Sequence, residues 1–252
     1  MSSPSKPLLA FFGATGGSTL AALIPSLNAS YTCLALIRSP QKLTSLLLSH
    51  GVSTSTISTY LHITTGNVLN VSDVAASLTL HGKCADIIFS GIGVFAFGAR
   101  QEIRICRDGV SNIISALGGM KLEEKEEKPL LVALSTTGIA RGQKKRDLPL
   151  LMTPLYKWGL HAPHEDKIAM EDLIVEEAGK GEGSVIRGFV IPRPSMLPDG
   201  TAKRLQSVRV GTEEEPAVGY TISRADVGAW LFERLIKGDE GEWVGKKPTL
   251  TY

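Results

Sequence analysis

Cysteine is scarce in this 252-residue chain: only Cys33, Cys84 and Cys106 occur, far apart in apolar segments and without CxxC or histidine spacing. That excludes a disulfide framework and a zinc site, and no other metal site is expected. An excess of one charge is lacking too. The formal net charge is +2, and the basic residues are not gathered on one helix, so nucleic acid is not an expected partner. The basic run over 141–146 reads as a solvated loop. No apolar run approaches the length of a membrane span, and residues 1–6 lack the layout of a secretory signal. The expectation is a cytoplasmic protein in a reducing compartment, a monomer or homodimer with no membrane partner, acting on a small-molecule substrate. Internal repeats and low-complexity arrays are also absent.

Short apolar runs alternate with longer amphipathic stretches. Strands are expected over 8–12, 32–37, 61–64, 86–90, 130–134 and 184–191, and helices over 18–27, 40–49, 71–80, 100–117, 165–178 and 224–236. This is the pattern of an α/β fold, a doubly wound parallel sheet of Rossmann type, with helices on both faces. Residues 1–252 are read as a single domain with a small C-terminal substrate-binding portion. The mixed-charge run over 121–128 reads as a solvated helix end or loop. The connection over 138–163 is long, rich in Gly, Pro and basic residues, and also holds Leu151, Met152, Tyr156 and Trp158. Such a connection in a compact domain suits a lid. Residues 192–222 are assigned to the substrate side.

The first strand breaks into Gly13-Ala14-Thr15-Gly16-Gly17-Ser18-Thr19. Glycines there let the backbone turn sharply and approach a pyrophosphate, and the following helix aims its N–H groups and positive dipole end at it. Gly13, Thr15, Gly16, Gly17, Ser18 and Thr19 are therefore cofactor-binding candidates. The second strand ends in Arg38-Ser39-Pro40-Gln41-Lys42, with no acidic residue to accept from a ribose 2′-hydroxyl. Arg38 can instead form paired hydrogen bonds to a 2′-phosphate, with Ser39 and Lys42 beside it, which favours NADP(H) over NAD. At the ends of the third and fourth strands, Asn67 and Val68 are placed at the adenine. Ser90, Gly91 and Gly93 lie where the backbone passes close to the cofactor.

Together with Ile191-Pro192-Arg193-Pro194-Ser195-Met196-Leu197 and Ile222-Ser223-Arg224-Ala225-Asp226-Val227, these segments resemble the atypical short-chain dehydrogenase/reductases, in particular the NmrA-like NAD(P)-binding proteins of fungi. The resemblance spans nearly the whole chain. It implies a cofactor-binding oxidoreductase, with Pro192 and Arg193 on the cofactor side and a link to secondary metabolism, and it gives the segment from Ile222 a packing role. Two departures stand out. Thr19 replaces a third glycine, and the tyrosine expected four residues before the family's lysine, here Lys167, is replaced by Pro163. On a helix beginning there, His164, Lys167 and Glu171 share a stripe. His164 is then the expected proton donor near neutral pH, Lys167 the ribose ligand, and His161 a further candidate. The resemblance also places a substrate-binding hydroxyl after the fifth strand, where Ser135 and Thr137 both stand. Tyr156 does not fit the motif spacing. Three functions stay open: an NADP(H)-dependent oxidoreductase of a small, fairly apolar metabolite, a non-redox isomerase or cyclase on the same scaffold, and an NADP-sensing regulator.

Overall fold

Strands buried on both faces need apolar side chains at every position, and that is what Leu9-Ala10-Phe11-Phe12 supplies. The computed structural model describes residues 6–93, 104–120, 127–141, 145–198 and 200–252. The first half runs β1 (Leu9–Phe12), α1 (Gly17–Asn28), β2 (Cys33–Ile37), α2 (Pro40–Ser49), α3 (Thr54–Tyr60), β3 (Leu61–Thr65), α4 (Val71–Ala76), β4 (Thr79–Leu80), β5 (Lys83–Cys84) and β6 (Ile87–Ser90). The second half runs α5 (Ile105–Gly119), β7 (Leu130–Ala133), α6 (His161–Ala178), β8 (Gly188–Val190), β9 (Arg193–Pro194), β10 (Arg209–Gly211), α7 (Arg224–Leu231) and β11 (Thr249–Thr251).

The main sheet is parallel throughout, in the order β3-β2-β1-β6-β7-β8. Strand order reverses between β1 and β6, and in sheets of this kind ligands bind beyond the carboxyl ends at that point. The alternation within β1 sorts its side chains into two cores. Leu9 and Phe11 pack with α1, α2 and α7 on one face, where Phe11 stacks on Phe89 at 5.0 Å between ring centroids. Ala10 and Phe12 pack with α4, α5 and α6 on the other. Both faces of the sheet are thus covered by helices, as the alternating pattern requires.

Four expectations are corrected. The helix over 71–80 stops at Ala76, because His81 and Gly82, at φ of 51° and 83°, close a tight hairpin between β4 and β5. A helix not expected, α3, starts at Ser53, whose hydroxyl accepts from the Thr56 amide. The last strand of the main sheet pairs only over Gly188–Val190, and the chain then leaves it for a small sheet ordered β10-β11-β9. Helix α6 begins at His161, a turn earlier than expected, with Pro163 in the first turn where its missing N–H leaves no bond unmade. The expected start of the fifth helix at Arg100, most of the 121–128 run and the centre of the 141–146 run lie outside the described residues. Among the described residues no helix is long and apolar enough to cross a membrane.

Candidate active site

The turn after β1 is built by what its glycines lack. Gly13 has φ +75°, and a Cβ there would lie 2.8 Å from the Gly91 carbonyl oxygen. The Gly16 amide closes the bend by donating to the Gly13 carbonyl at 2.8 Å. Thr19, in place of the third glycine, is accommodated from the opposite side: a Cβ on Gly91 would overlap the Thr19 hydroxyl. The close approach survives because the missing side chain has moved from one partner to the other.

Two clefts open along the carboxyl edge of the sheet and meet over Gly16, Gly91 and Gly93. The first, of about 660 Å³, is walled by Gly13, Thr15, Arg38, Ser39, Lys42, Asn67 and Val68. Arg38, Ser39 and Lys42 are exposed at its outer end. The Asn67 amide is anchored by Asp73, to which it donates at 2.8 Å. The second, of about 590 Å³, runs past Gly17, Ser18 and Thr19 to Ser135, Tyr156, His164, Lys167 and the apolar side chains of Leu160, Met196 and Leu197. The Ser18 hydroxyl is buried without a hydrogen-bond partner among the described residues. An unmet buried hydroxyl costs roughly 1–3 kcal/mol, which a bound anion would recover. The turn, the orphaned hydroxyl and the pair of cations at Arg38 and Lys42 fit a dinucleotide carrying a 2′-phosphate.

No family model matches the chain. Among curated proteins, Reductase pytE of Aspergillus terreus is 46% identical over 264 residues, covering 99% of this chain and 100% of that one. The chain belongs to the atypical short-chain dehydrogenase/reductases. Oxidase pynE of Aspergillus niger is 34% identical, covering 98% and 99% of the two chains. A short-chain dehydrogenase/reductase of Veillonella parvula, solved in complex with NADP, has the same fold with a TM-score of 0.68 at 14% identity, covering 98% of this chain and 95% of that one. The names of these relatives lend no support to the narrower NmrA-like resemblance.

In this short-chain dehydrogenase/reductase, α6 brings three residues of the expected stripe to the second cleft or just beneath it. The Lys167 ammonium donates to the carbonyl oxygens of Ile92 at 2.9 Å and Leu134 at 2.6 Å, tying the helix to the ends of β6 and β7. That leaves one of its three protons for a ligand. The neighbouring Asp166 is buried and accepts from the Cys106 and Arg107 amides, both at 2.9 Å, so it caps α5 from another element. One turn on, Glu171 is buried and bonded to Arg193 at 3.0 Å (Nε) and 2.5 Å (Nη2), with the Lys247 ammonium at 3.2 Å. Burial pushes the Glu171 carboxyl up, but the Arg193 bonds and charge, Ser135 and Lys247 outweigh it and hold the group below its ordinary value. Glu171 is therefore a carboxylate, which only accepts.

That fixes Ser135. Its hydroxyl donates to Glu171 Oε1 at 2.6 Å, so toward the cleft it presents lone pairs rather than a proton. The resemblance implies a hydroxyl that donates to a substrate carbonyl, and here the carboxylate has already taken that proton. Thr137 is fully buried behind the wall, whereas Thr136, not singled out from sequence, lines the cleft. Arg193 is committed to Glu171 and, like Pro192, reaches neither cleft. Ser90 also lies beneath the surface.

The histidines are corrected as well. His164 lines the cleft, but burial, with the charge of His161 adding to it, pushes its pKa down to about 4, so it is neutral near pH 7 and does not titrate there. His161 is exposed and lies outside the cleft wall. Tyr156 is the group the motif spacing passed over. A π-helical turn, Leu155–Gly159, carries it into the cleft, where its ring lies 5.0 Å from that of His164 and its phenol faces Thr136 and Thr137. Burial raises its pKa above the ordinary phenol value, so it stays protonated.

Proposed function

We propose that this protein is an NADP(H)-dependent oxidoreductase that takes a small, fairly apolar substrate into the second cleft. The observation that carries it is the pair of joined clefts at the strand-order reversal, one ending in cations suited to a 2′-phosphate and the other lined by apolar side chains around a few polar groups. The names of the two relatives, a reductase and an oxidase, favour redox work over isomerisation or cofactor sensing. Tyr156, Leu160 and Pro163 of the connection expected to be a lid and residues 194–198 line the second cleft, which supports reading them as lid and substrate-side wall. Buried cysteines without a disulfide suit a reducing, cytoplasmic compartment.

Arg38 and Lys42 hold the 2′-phosphate, Asn67 and Val68 border the adenine, residues 13–19 take the diphosphate, and the remaining Lys167 proton holds the nicotinamide ribose. When bound, the cofactor would supply or accept a hydride. The chain's own task is one proton. Tyr156 keeps it in the working pH range and, in the reducing direction, gives it to the substrate oxygen, while Ser135 accepts a hydrogen bond from a donor on the substrate.

Two outcomes test this. Fluorescence titration should show NADPH bound more tightly than NADH, with Arg38→Ala weakening NADPH about 10–100-fold and NADH little. Equal binding of both cofactors by both proteins would remove the 2′-phosphate site, and no binding at all would remove the function. With an aromatic ketone as probe and NADPH consumption as readout, Tyr156→Phe should lower turnover about 100-fold or more. His164→Gln should leave the pH profile between 6 and 8 unchanged, since a group titrating at about 4 is already neutral there. The opposite ranking would return the proton to His164.

A further inference from the structure

We propose that Arg224, at the start of α7, is a ligand of the cofactor diphosphate, so that the phosphate cradle is completed by a second helix beside the glycine turn. This rests on the cofactor site proposed above and adds a cation from a segment with only a packing role in the resemblance.

Helices α1 and α7 lie against each other with their backbones in near contact. A Cβ on Gly228 would overlap Ala21, and a Cβ on Gly17 would overlap the Arg224 side chain at Cδ. Contacts pairing 17 with 224 and 21 with 228 mean that the helices run parallel and in step. Both positive ends therefore open toward the same edge of the sheet. Gly17 thus has a different use from the one its place in the turn suggests, since its bare backbone is the bed on which the Arg224 stem lies.

Arg224 shares the wall of the second cleft with Gly16, Gly17 and Ser18. Independent of the arginine, Ser18 is 5% exposed and lines that cleft, and its hydroxyl has no hydrogen-bond partner among the described residues. The first turn of α1 carries no acidic residue to oppose an anion. The acid in the first turn of α7, Asp226, is fully buried and bonded through Oδ2, which accepts from the Ser223 hydroxyl at 2.9 Å, from the Lys203 amide at 2.7 Å and from the Tyr252 hydroxyl, while its Oδ1 has no hydrogen-bond partner among the described residues. The same cluster fixes where the α7 backbone begins, because the Ser223 hydroxyl accepts from the Asp226 amide at 3.0 Å and the Ser223 amide donates to the Tyr252 hydroxyl at 3.0 Å. Lys167, the other cation of this cleft, is held at its inner end by two carbonyls. A planar guanidinium rooted beside an orphaned hydroxyl and two helix N-termini suits a diphosphate, which it can bond in a paired fashion.

The test separates the two phosphate regions with three probes: NADPH, 2′-phospho-ADP-ribose and adenosine 2′-monophosphate, the last lacking a diphosphate. Dissociation constants are measured calorimetrically or by NMR for the full chain, for Arg224→Ala, Arg224→Gln and Arg224→Lys, and for Arg38→Ala as comparator. The expected result is a loss of about 10–100-fold for the first two probes with Arg224→Ala and Arg224→Gln, partial recovery with Arg224→Lys, and no change for the monophosphate. Arg38→Ala should weaken all three. Unchanged NADPH binding in the alanine and glutamine variants overturns the proposal, as does equal weakening of all three probes, which marks a general packing role. Failure of the unsubstituted protein to bind NADPH would instead remove the cofactor site itself. The melting temperature of each variant is read alongside to separate loss of a ligand from loss of α7, and the glutamine variant, which keeps the stem over Gly17, decides if alanine unfolds.

Discussion

Replacing Glu171 by alanine is expected to lower the unfolding free energy by about 3–5 kcal/mol, one of the two largest losses foreseen for a single substitution in this protein. The reason is what is left behind. The Arg193 side chain is only 4% exposed and has Glu171 as its close carboxylate, while Glu213 stands at 3.7 Å from the other guanidinium nitrogen and is partly in solvent. Without Glu171 a buried guanidinium has no adequate partner, and Lys247 loses its partner too. Urea denaturation of the two proteins measures the difference, and a loss below about 1 kcal/mol would mean that Arg193 finds other partners. Glu171→Gln, which keeps the shape and one acceptor, should fall between.

The same group sets an acid sensitivity. The Glu171 pKa is lower folded than unfolded, so its share of stability is present above the unfolded value and is lost as pH falls through the folded one. The difference between the native protein and Glu171→Ala should therefore shrink on acidification through the carboxylate range. Because Ser135 loses its acceptor in the variant, its hydroxyl becomes able to donate into the cleft, so the substrate preference should shift along with the stability.

Gly91→Ala should cost less stability but more function, by overpacking rather than by loss of a partner. The added carbon overlaps the Thr19 hydroxyl, and Thr19 is buried in the first turn of α1 at the junction of the two clefts. Forcing them apart is expected to cost about 1–3 kcal/mol and to abolish measurable NADPH binding, because the turn moves with the helix. Thr19→Gly in the same chain should restore both, since it returns the space to the side where the family pattern has it. A double-mutant cycle checks this, and simple additivity of the two substitutions would show that the pair does not share one volume.

Much of this architecture was open to sequence reasoning because its physics is local. A parallel strand buried on both faces must be an apolar run, so the strands from Leu9, Cys33, Ile87 and Leu130 stand out. The turn at Gly13 stands out because a left-handed residue packed against a carbonyl favours glycine. The small sheet was not visible, since strands of two or three residues such as Arg193–Pro194 carry no periodicity and pair only with segments far along the chain. Tyr156 escaped for a related reason: a rule of four residues before a lysine presumes one continuous helix, and here a separate π-helical turn ahead of α6 brings the phenol in.

The residues themselves determined the fold class, the place of the dinucleotide turn and the cations at Arg38 and Lys42, because each follows from a side chain's own size, charge or backbone freedom. Tertiary structure alone decided which way the Ser135 proton points, that His164 is neutral, that Gly91 makes room for Thr19 and that Arg224 lies across Gly17. Each of those depends on a neighbour remote in sequence: hydrogen-bond direction, pKa and steric fit are properties of pairs, and only folding chooses the pairs.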